Sequence, residues 1–276
     1  MRKIFLPTDF SEISQNAARL AASIARKSGS SIFLFHLLNL PVDWDRVTVD
    51  KEKQFPELKA LIANTKKRLE DYAQSDLFKG IKVDWEVYIN DTIEHIVRHA
   101  ETLQSDMIVM GTHGSSGFNE LMLGSNTQKI VRYAACPVVA VHKLPDNYQL
   151  KDIALFSNFD GSENYKQLFD NALGLAKLFG AKLHLVKVLT PVDPENYDVG
   201  DIANVDGAEE VVRKDFVRIE YLRTVEEGIF DYIKKHKIDM VVMGTHGRTG
   251  LMRLIMGSVA EVVVNHSPVP VMVARV

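Results

Sequence analysis

The chain has 276 residues, 46% of them hydrophobic and 25% charged, with a net charge of −3. That length accommodates two domains of ordinary size. The charge balance excludes electrostatic capture of nucleic acid or of an anionic membrane as a principal activity.

Cys136 is the single cysteine, so an intrachain disulfide cannot form, which fits a reducing compartment. Met1 to Pro7 begins like a secretory leader, but Thr8, Asp9, Ser11 and Glu12 end the apolar run early. No uncharged apolar run reaches the roughly 18 residues that cross a bilayer. The expected location is cytoplasmic.

Lys3 to Leu6 reads as a strand ended by Pro7, and Ser11 as the N-cap of a helix with Ala17, Leu20, Ala21, Ile24 and Ala25 inward. Gly29 ends that helix, and Ser31 to Leu38 is a second strand. Pro41 to Lys53 is polar and irregular. A helix follows with Leu58, Leu61, Ile62, Leu69 and Tyr72 on one stripe. Val83 to Tyr88 alternates as a strand does, and Thr92 caps a helix that turns Ile93, Ile96, Val97, Ala100 and Leu103 inward. Met107 to Met110, Ser125 to Ala135 and Val138 to Val141 complete a strand, a helix and a strand. Leu144 to Gln149 is a short polar link.

The order then restarts. Ile153 to Phe156, Asn164 to Phe179 and Lys182 to Leu189 repeat the opening strand, helix and strand. Phe216 to Tyr221, Glu226 to His236, Met240 to Met243, Ser258 to Asn265 and Val269 to Ala274 repeat the rest. From Asp106 and Asp239 onward the two copies keep one offset of 133 residues. A repeat of this length is a duplicated domain rather than a solenoid. The expected fold is α/β: two tandem Rossmann-like domains, residues 1–145 and 150–276, each a five-stranded parallel sheet flanked by helices.

The same loop occurs in both halves. Met110-Gly111-Thr112-His113-Gly114 is followed by nine residues and Gly124-Ser125, and Met243-Gly244-Thr245-His246-Gly247 by nine residues and Gly257-Ser258. An apolar strand that opens into a glycine loop and then a helix start is a phosphate cradle, because the helix's first N–H groups point over the loop. A tight turn with an ordinary N-cap is the plainer alternative for either copy alone; two copies at identical spacing favour nucleotide binding. Neither G-x-x-x-x-G-K-[ST] nor G-x-G-x-x-G occurs, so a Walker NTPase and a dinucleotide fold are not indicated.

Taken with Leu6-Pro7-Thr8-Asp9-Phe10-Ser11, with His36 and with the trailing Pro-Val strands, the two loops make the chain resemble a tandem universal stress protein. The resemblance covers nearly the whole chain and implies a site for ATP or AMP. Its residues would be Pro7, Thr8, Asp9, Leu38, Met110, Gly111, His113, Gly114, Gly124, Ser125, Asn126 and Thr127 in the first half. In the second they would be Asn158, Met243, Gly244, His246, Gly247, Arg248, Gly257, Ser258 and Val259. It also implies an internal pseudo-dimer, joined through Val138–Val141 and Val269–Ala274. Other members of the family keep the fold and bind no nucleotide.

The two sites differ in chemistry. The first has Asp9 and Thr127 but no cation, so triphosphate there calls for Mg²⁺; the second has Asn158 and Arg248. No general base, arginine finger or acidic metal pair accompanies the loops, so binding is favoured over catalysis. Slow Mg²⁺-dependent ATP hydrolysis and a scaffold with empty loops are the alternatives. His113 and His246 read as loop imidazoles, His36 and His184 as matched strand histidines, His95 and His99 as a solvated helix face, Cys136 as a buried small residue and Lys66-Lys67-Arg68 as a wet helix face.

Overall fold

Short apolar runs and Ala-rich helices alternate along the chain, and each run becomes a strand of one sheet. A computed structural model describes residues 1–42, 44, 53–112, 125–159, 163–193, 195, 211–220, 222–244 and 258–274. The first half contributes β1 (Lys3–Pro7), α1 (Glu12–Ser28), β2 (Ser31–Leu38), α2 (Pro56–Ala73), β3 (Val83–Ile89), α3 (Ile93–Thr102), β4 (Met107–Gly111), α4 (Ser125–Tyr133) and β5 (Val138–Val141). The second contributes β6 (Asp152–Phe156), α5 (Glu163–Phe179), β7 (Lys182–Leu189), β8 (Val212–Arg218), α6 (Val225–His236), β9 (Met240–Gly244), α7 (Ser258–His266) and β10 (Val271–Ala274).

Local chemistry sets the helix ends. Ser11 accepts from the Ser14 N–H to start α1, and Gly29 ends it at φ 69°, returning its N–H to the Ala25 carbonyl. Thr224 and Glu227 close a reciprocal capping box at the start of α6. The Ala-rich inner face of α1 (Ala17, Ala18, Ala21, Ala22 and Ala25) is buried to 1% exposure or less and lets the helix lie close on the strands.

The strands form a single ten-stranded sheet in the order β3-β2-β1-β4-β5-β10-β9-β6-β7-β8. Pairing is parallel within each half. At the middle β5 and β10 run antiparallel, with Val271 opposite Ala140, Met272 opposite Val139 and Val273 opposite Val138. Because side chains alternate along a strand, this seam feeds two cores. Val139, Val141, Met272 and Ala274 point into the layer shared by α1, α2 and α5. Val138, Ala140, Val271 and Val273 point into the layer shared by α3, α4, α6 and α7. Both cores therefore continue across the junction of the halves.

Several boundaries differ from the sequence reading. The third strand of the second half is Val212–Arg218 rather than 216–221, in register with β7 from Leu183 opposite Val212 to Leu189 opposite Arg218. It is an edge strand, and Arg213, Lys214 and Asp215 conceal it from an apolar-pattern search. The last strand begins at Val271 rather than at position 269. Pro270 has no N–H for a ladder, though its carbonyl accepts from Val241, and Val269 is held in a turn by the Ser267 hydroxyl. Leu61 is 44% exposed, because the inward stripe of α2 is Ile62, Thr65, Leu69 and Ala73.

Candidate functional site

Two side-chain turns shape the exit from β1. The Thr8 N–H extends the ladder to the Phe35 carbonyl, while Thr8 Oγ1 accepts from the Phe10 N–H at 3.1 Å. Asp9 Oδ1 accepts from the Ser11 N–H at 3.0 Å and the Ser11 hydroxyl at 2.6 Å. Between them Phe10 takes a left-handed conformation, φ 62°. Such a residue is held there only by its surroundings. Asp9 thus sets the turn, and Ser11 does the capping of α1.

The second half repeats this turn with changed chemistry. The Ser157 N–H reaches the Val186 carbonyl, Ser157 Oγ accepts from the Phe159 N–H at 3.2 Å, and Phe159 sits at φ 55°. Asn158 stands exposed at the position of Asp9.

Next to the first turn lies a group that sequence reading did not assemble. His36 donates from Nδ1 to the Thr8 carbonyl at 2.8 Å, and its ring lies 4.8 Å from that of Phe10. Burial holds this imidazole below the usual histidine range, against the pull of the Thr8 carbonyl. Arg68 comes over from α2 to stand 4.0 Å above the Phe10 ring, a cation–π contact. Its place in a basic run on a wet face carried no signal of this; the contact depends on α2 crossing β1 and β2. Pro7 and Leu38 are half-buried at the strand ends, and the Leu38 carbonyl accepts from the Asn90 N–H.

The end of β4 meets the first turn of α1. A Cβ on Gly111 would lie 2.8 Å from Ile13 Cγ2 and 3.3 Å from both the Ile13 carbonyl carbon and the Ser14 nitrogen. The missing side chain at Gly111 therefore makes room for the first turn of α1. Thr127, expected to offer a hydroxyl to phosphate, is 2% exposed and shares its hydrogen between the Gly111 and Thr112 carbonyls, each at 3.1 Å. It fastens α4 to the end of β4. Ala260 fills the equivalent place and is 3% exposed. Met110 and Met243 are buried, Gly244 and Val259 half-buried, Asn126 and Ser258 exposed, and Ser125 opens α4. His113, Gly114, Gly124, His246, Gly247, Arg248 and Gly257 lie outside the described residues.

The matched histidines do not match. The ladders place Ile4 opposite Ile32 and Ile153 opposite Leu183, so His184 occupies the position of Phe33 and His36 that of Lys187. The motif-free offset misjudged this by three residues because β7 is aligned by its pairing, not by its histidine. His95 bonds Asp91 at 2.7 Å, whereas His99 lies among the rings of Phe5, Phe33 and Tyr88, so they do not act as a pair. Burial pushes the Cys136 thiol up to about 11. Among the described residues no three His, Cys, Asp or Glu side chains are grouped to hold a metal ion.

The chain matches the model of the "Universal stress protein family" over residues 1–142 and again over 159–275. It is 26% identical to a universal stress protein of Synechocystis sp., with all of both chains covered. It is 29% identical to one from Methanocaldococcus jannaschii over 51% of this chain and 82% of that protein. The crystal structure of a universal stress protein from Archaeoglobus fulgidus superposes over 99% of this chain and 98% of its own, with a TM-score of 0.76 and 23% identity. With two successive matches that together take in most of its length, the chain belongs to the universal stress protein family.

Proposed function

We propose that the protein is a nucleotide-responsive binding module with two non-equivalent sites for ATP or AMP, one in each half. The observation that carries this reading is the glycine-loop sequence repeated after β4 and β9, two strands whose C-terminal ends lie beside the turns after β1 and β6. In a parallel sheet that edge is where ligands bind. The first site would use Pro7, Thr8, Asp9 and Leu38 toward the base and ribose, and the loop from Gly111 to Ser125 with Asn126 toward the phosphates. The second would use Asn158 with the loop from Gly244 to Ser258. Mg²⁺ would accompany triphosphate in the first site, where Asp9 places the carboxylate. Thr127 would act indirectly, by fixing α4 under its loop.

The sites would answer to different ligands, since Asp9 is replaced by Asn158 and Arg248 enters only the second loop. The halves, taken as residues 1–145 and 150–276, would form an internal pseudo-dimer about the β5–β10 pairing. Residence in the cytoplasm and a role in stress response complete the reading.

The test is calorimetric titration of ATP and AMP, with and without Mg²⁺, into wild type and into Gly124→Val and Gly257→Val chains. Loss of about tenfold or more in affinity is expected at the altered half alone. Absence of any heat in wild type, with no nucleotide released on denaturation, would sink the proposal. Turnover far above buffered Mg-ATP would favour the hydrolase reading instead.

A further inference from the structure

A second cluster of titratable groups lies in the second half, on the sheet face covered by α6. Asp152 opens β6, His184 is on β7, Arg213 and Asp215 are on β8, and Tyr232 and His236 are on α6. His184 Nε2 is 2.9 Å from Asp152 Oδ1, and its Nδ1 is 2.9 Å from the Tyr232 hydroxyl. The same hydroxyl is 3.2 Å from Asp215 Oδ2, which also accepts from Arg213 Nη2 at 2.9 Å. His184 and Tyr232 are each 2% exposed, and the His236 ring stacks on Tyr232 at 4.1 Å. Among the described residues the first half has no such chain, because Phe33 stands in the place of His184 and stacks on Phe5 at 5.5 Å.

Three contacts, Asp152–His184, His184–Tyr232 and Tyr232–Asp215, need three hydrogens. A neutral imidazole and a phenol supply two, and ionised carboxylates supply none. With neutral His184, Asp152 requires the hydrogen on Nε2, so Nδ1 accepts from Tyr232 and the phenol has nothing to give Asp215. One further proton on Nδ1 completes all three contacts at once.

We propose that this cluster is a one-proton latch, in which proton uptake by His184 turns the Tyr232 hydroxyl away from β7 and onto Asp215, tying the outer strand β8 to α6. The added proton comes from solvent and binds Nδ1. The hydroxyl rotates about its C–O bond, its hydrogen passes from facing Nδ1 to facing Asp215, and no covalent bond breaks. Among the described residues the groups facing His184 are Asp152 from β6, Arg213 from β8, Tyr232 and His236 from α6, and Lys182 from its own strand. Burial holds the imidazole below its ordinary value of 6.5, Asp152 opposes this, and Arg213 and Lys182 add to it. The latch is therefore open at neutral pH and closes on the acid side. The unfolded chain takes up this proton at a higher pH than the folded one. Stability is thus lost as pH falls from the ordinary histidine value through the folded value, even while β8 gains a bond.

Nitrogen-15 imidazole NMR on the full chain tests this, with the His184 signals assigned through His184→Gln and those of the stacked ring removed with His236→Gln. At neutral pH His184 should carry hydrogen on Nε2 alone, and below its midpoint on both nitrogens. Tyr232→Phe costs the neutral form one contact, to Nδ1, and the charged form two, from Nδ1–H and to Asp215, so it should lower the midpoint by about one pH unit. Asp215→Asn should lower it by less. A doubly protonated His184 at neutral pH, hydrogen on Nδ1 alone, or a midpoint unmoved by Tyr232→Phe overturns the proposal. Should Tyr232→Phe fail to fold, the wild-type phenol hydrogen decides: its coupling to Nδ1 should be present at neutral pH and absent in acid, and persistence in acid overturns the latch.

Discussion

Thr127 and Ala260 occupy one position in two halves, both buried, and only one has a hydroxyl. In the loop sequence that hydroxyl looks like a phosphate donor, yet its hydrogen is given to the Gly111 and Thr112 carbonyls. Thr127→Val keeps the shape and removes the donor, so it should cost roughly 1–2 kcal/mol of stability. Urea unfolding checks this, and an unchanged midpoint would show that the hydroxyl holds nothing. Single residues were the least legible part of the chain. The sequence marked Gly111 as part of a phosphate cradle or a tight turn; only the packing of Ile13 showed that α1 approaches it. Arg68 reached Phe10 through a helix crossing that a local pattern does not contain.

Elements were legible wherever a cap or an apolar stripe marked them. Ser11 and Thr92, read as caps, carry side chains that accept from the first turn of their helices, and Thr224, which the sequence reading passed over, does the same. At α6 the Thr224 N–H also donates to Glu227 at 2.9 Å, so the cap is reciprocal. Thr224→Ala should cost about 1 kcal/mol and speed hydrogen exchange in the first turn of α6. An equal loss from Thr224→Ser, measured by the same exchange, would argue against the cap. The β8 strand was misplaced for a physical reason. An edge strand tolerates a run of charged residues, and Arg213 and Asp215 serve the buried cluster rather than the apolar pattern. The shift of His184 against His36 has a similar origin, since ladder register, not residue identity, fixes equivalence.

At the scale of the molecule the duplication could be read from the repeated loops, and the fold class followed from the alternation of strands and helices. The meeting of Val138–Val141 with Val269–Ala274 came from the family resemblance alone, because strand pairing between distant segments leaves no local mark. Both cores cross from one half to the other through β5 and β10. Calorimetry should therefore show one cooperative melting transition, and two separated peaks would show that the halves hold themselves up independently. Met272, 0% exposed at the seam, gives a second check: Met272→Lys buries an unpaired charge and should cost at least about 3 kcal/mol, lowering that single transition as a whole. The antiparallel meeting of β5 and β10 carries a further consequence. Two identical chains joined by such strands come apart on dilution, and any mutation in one appears in the other. Here the partners are tethered, so their pairing does not depend on concentration and their loops inherit changes separately. The halves already differ in this way, with Asn158 at the position of Asp9 and His184 at that of Phe33.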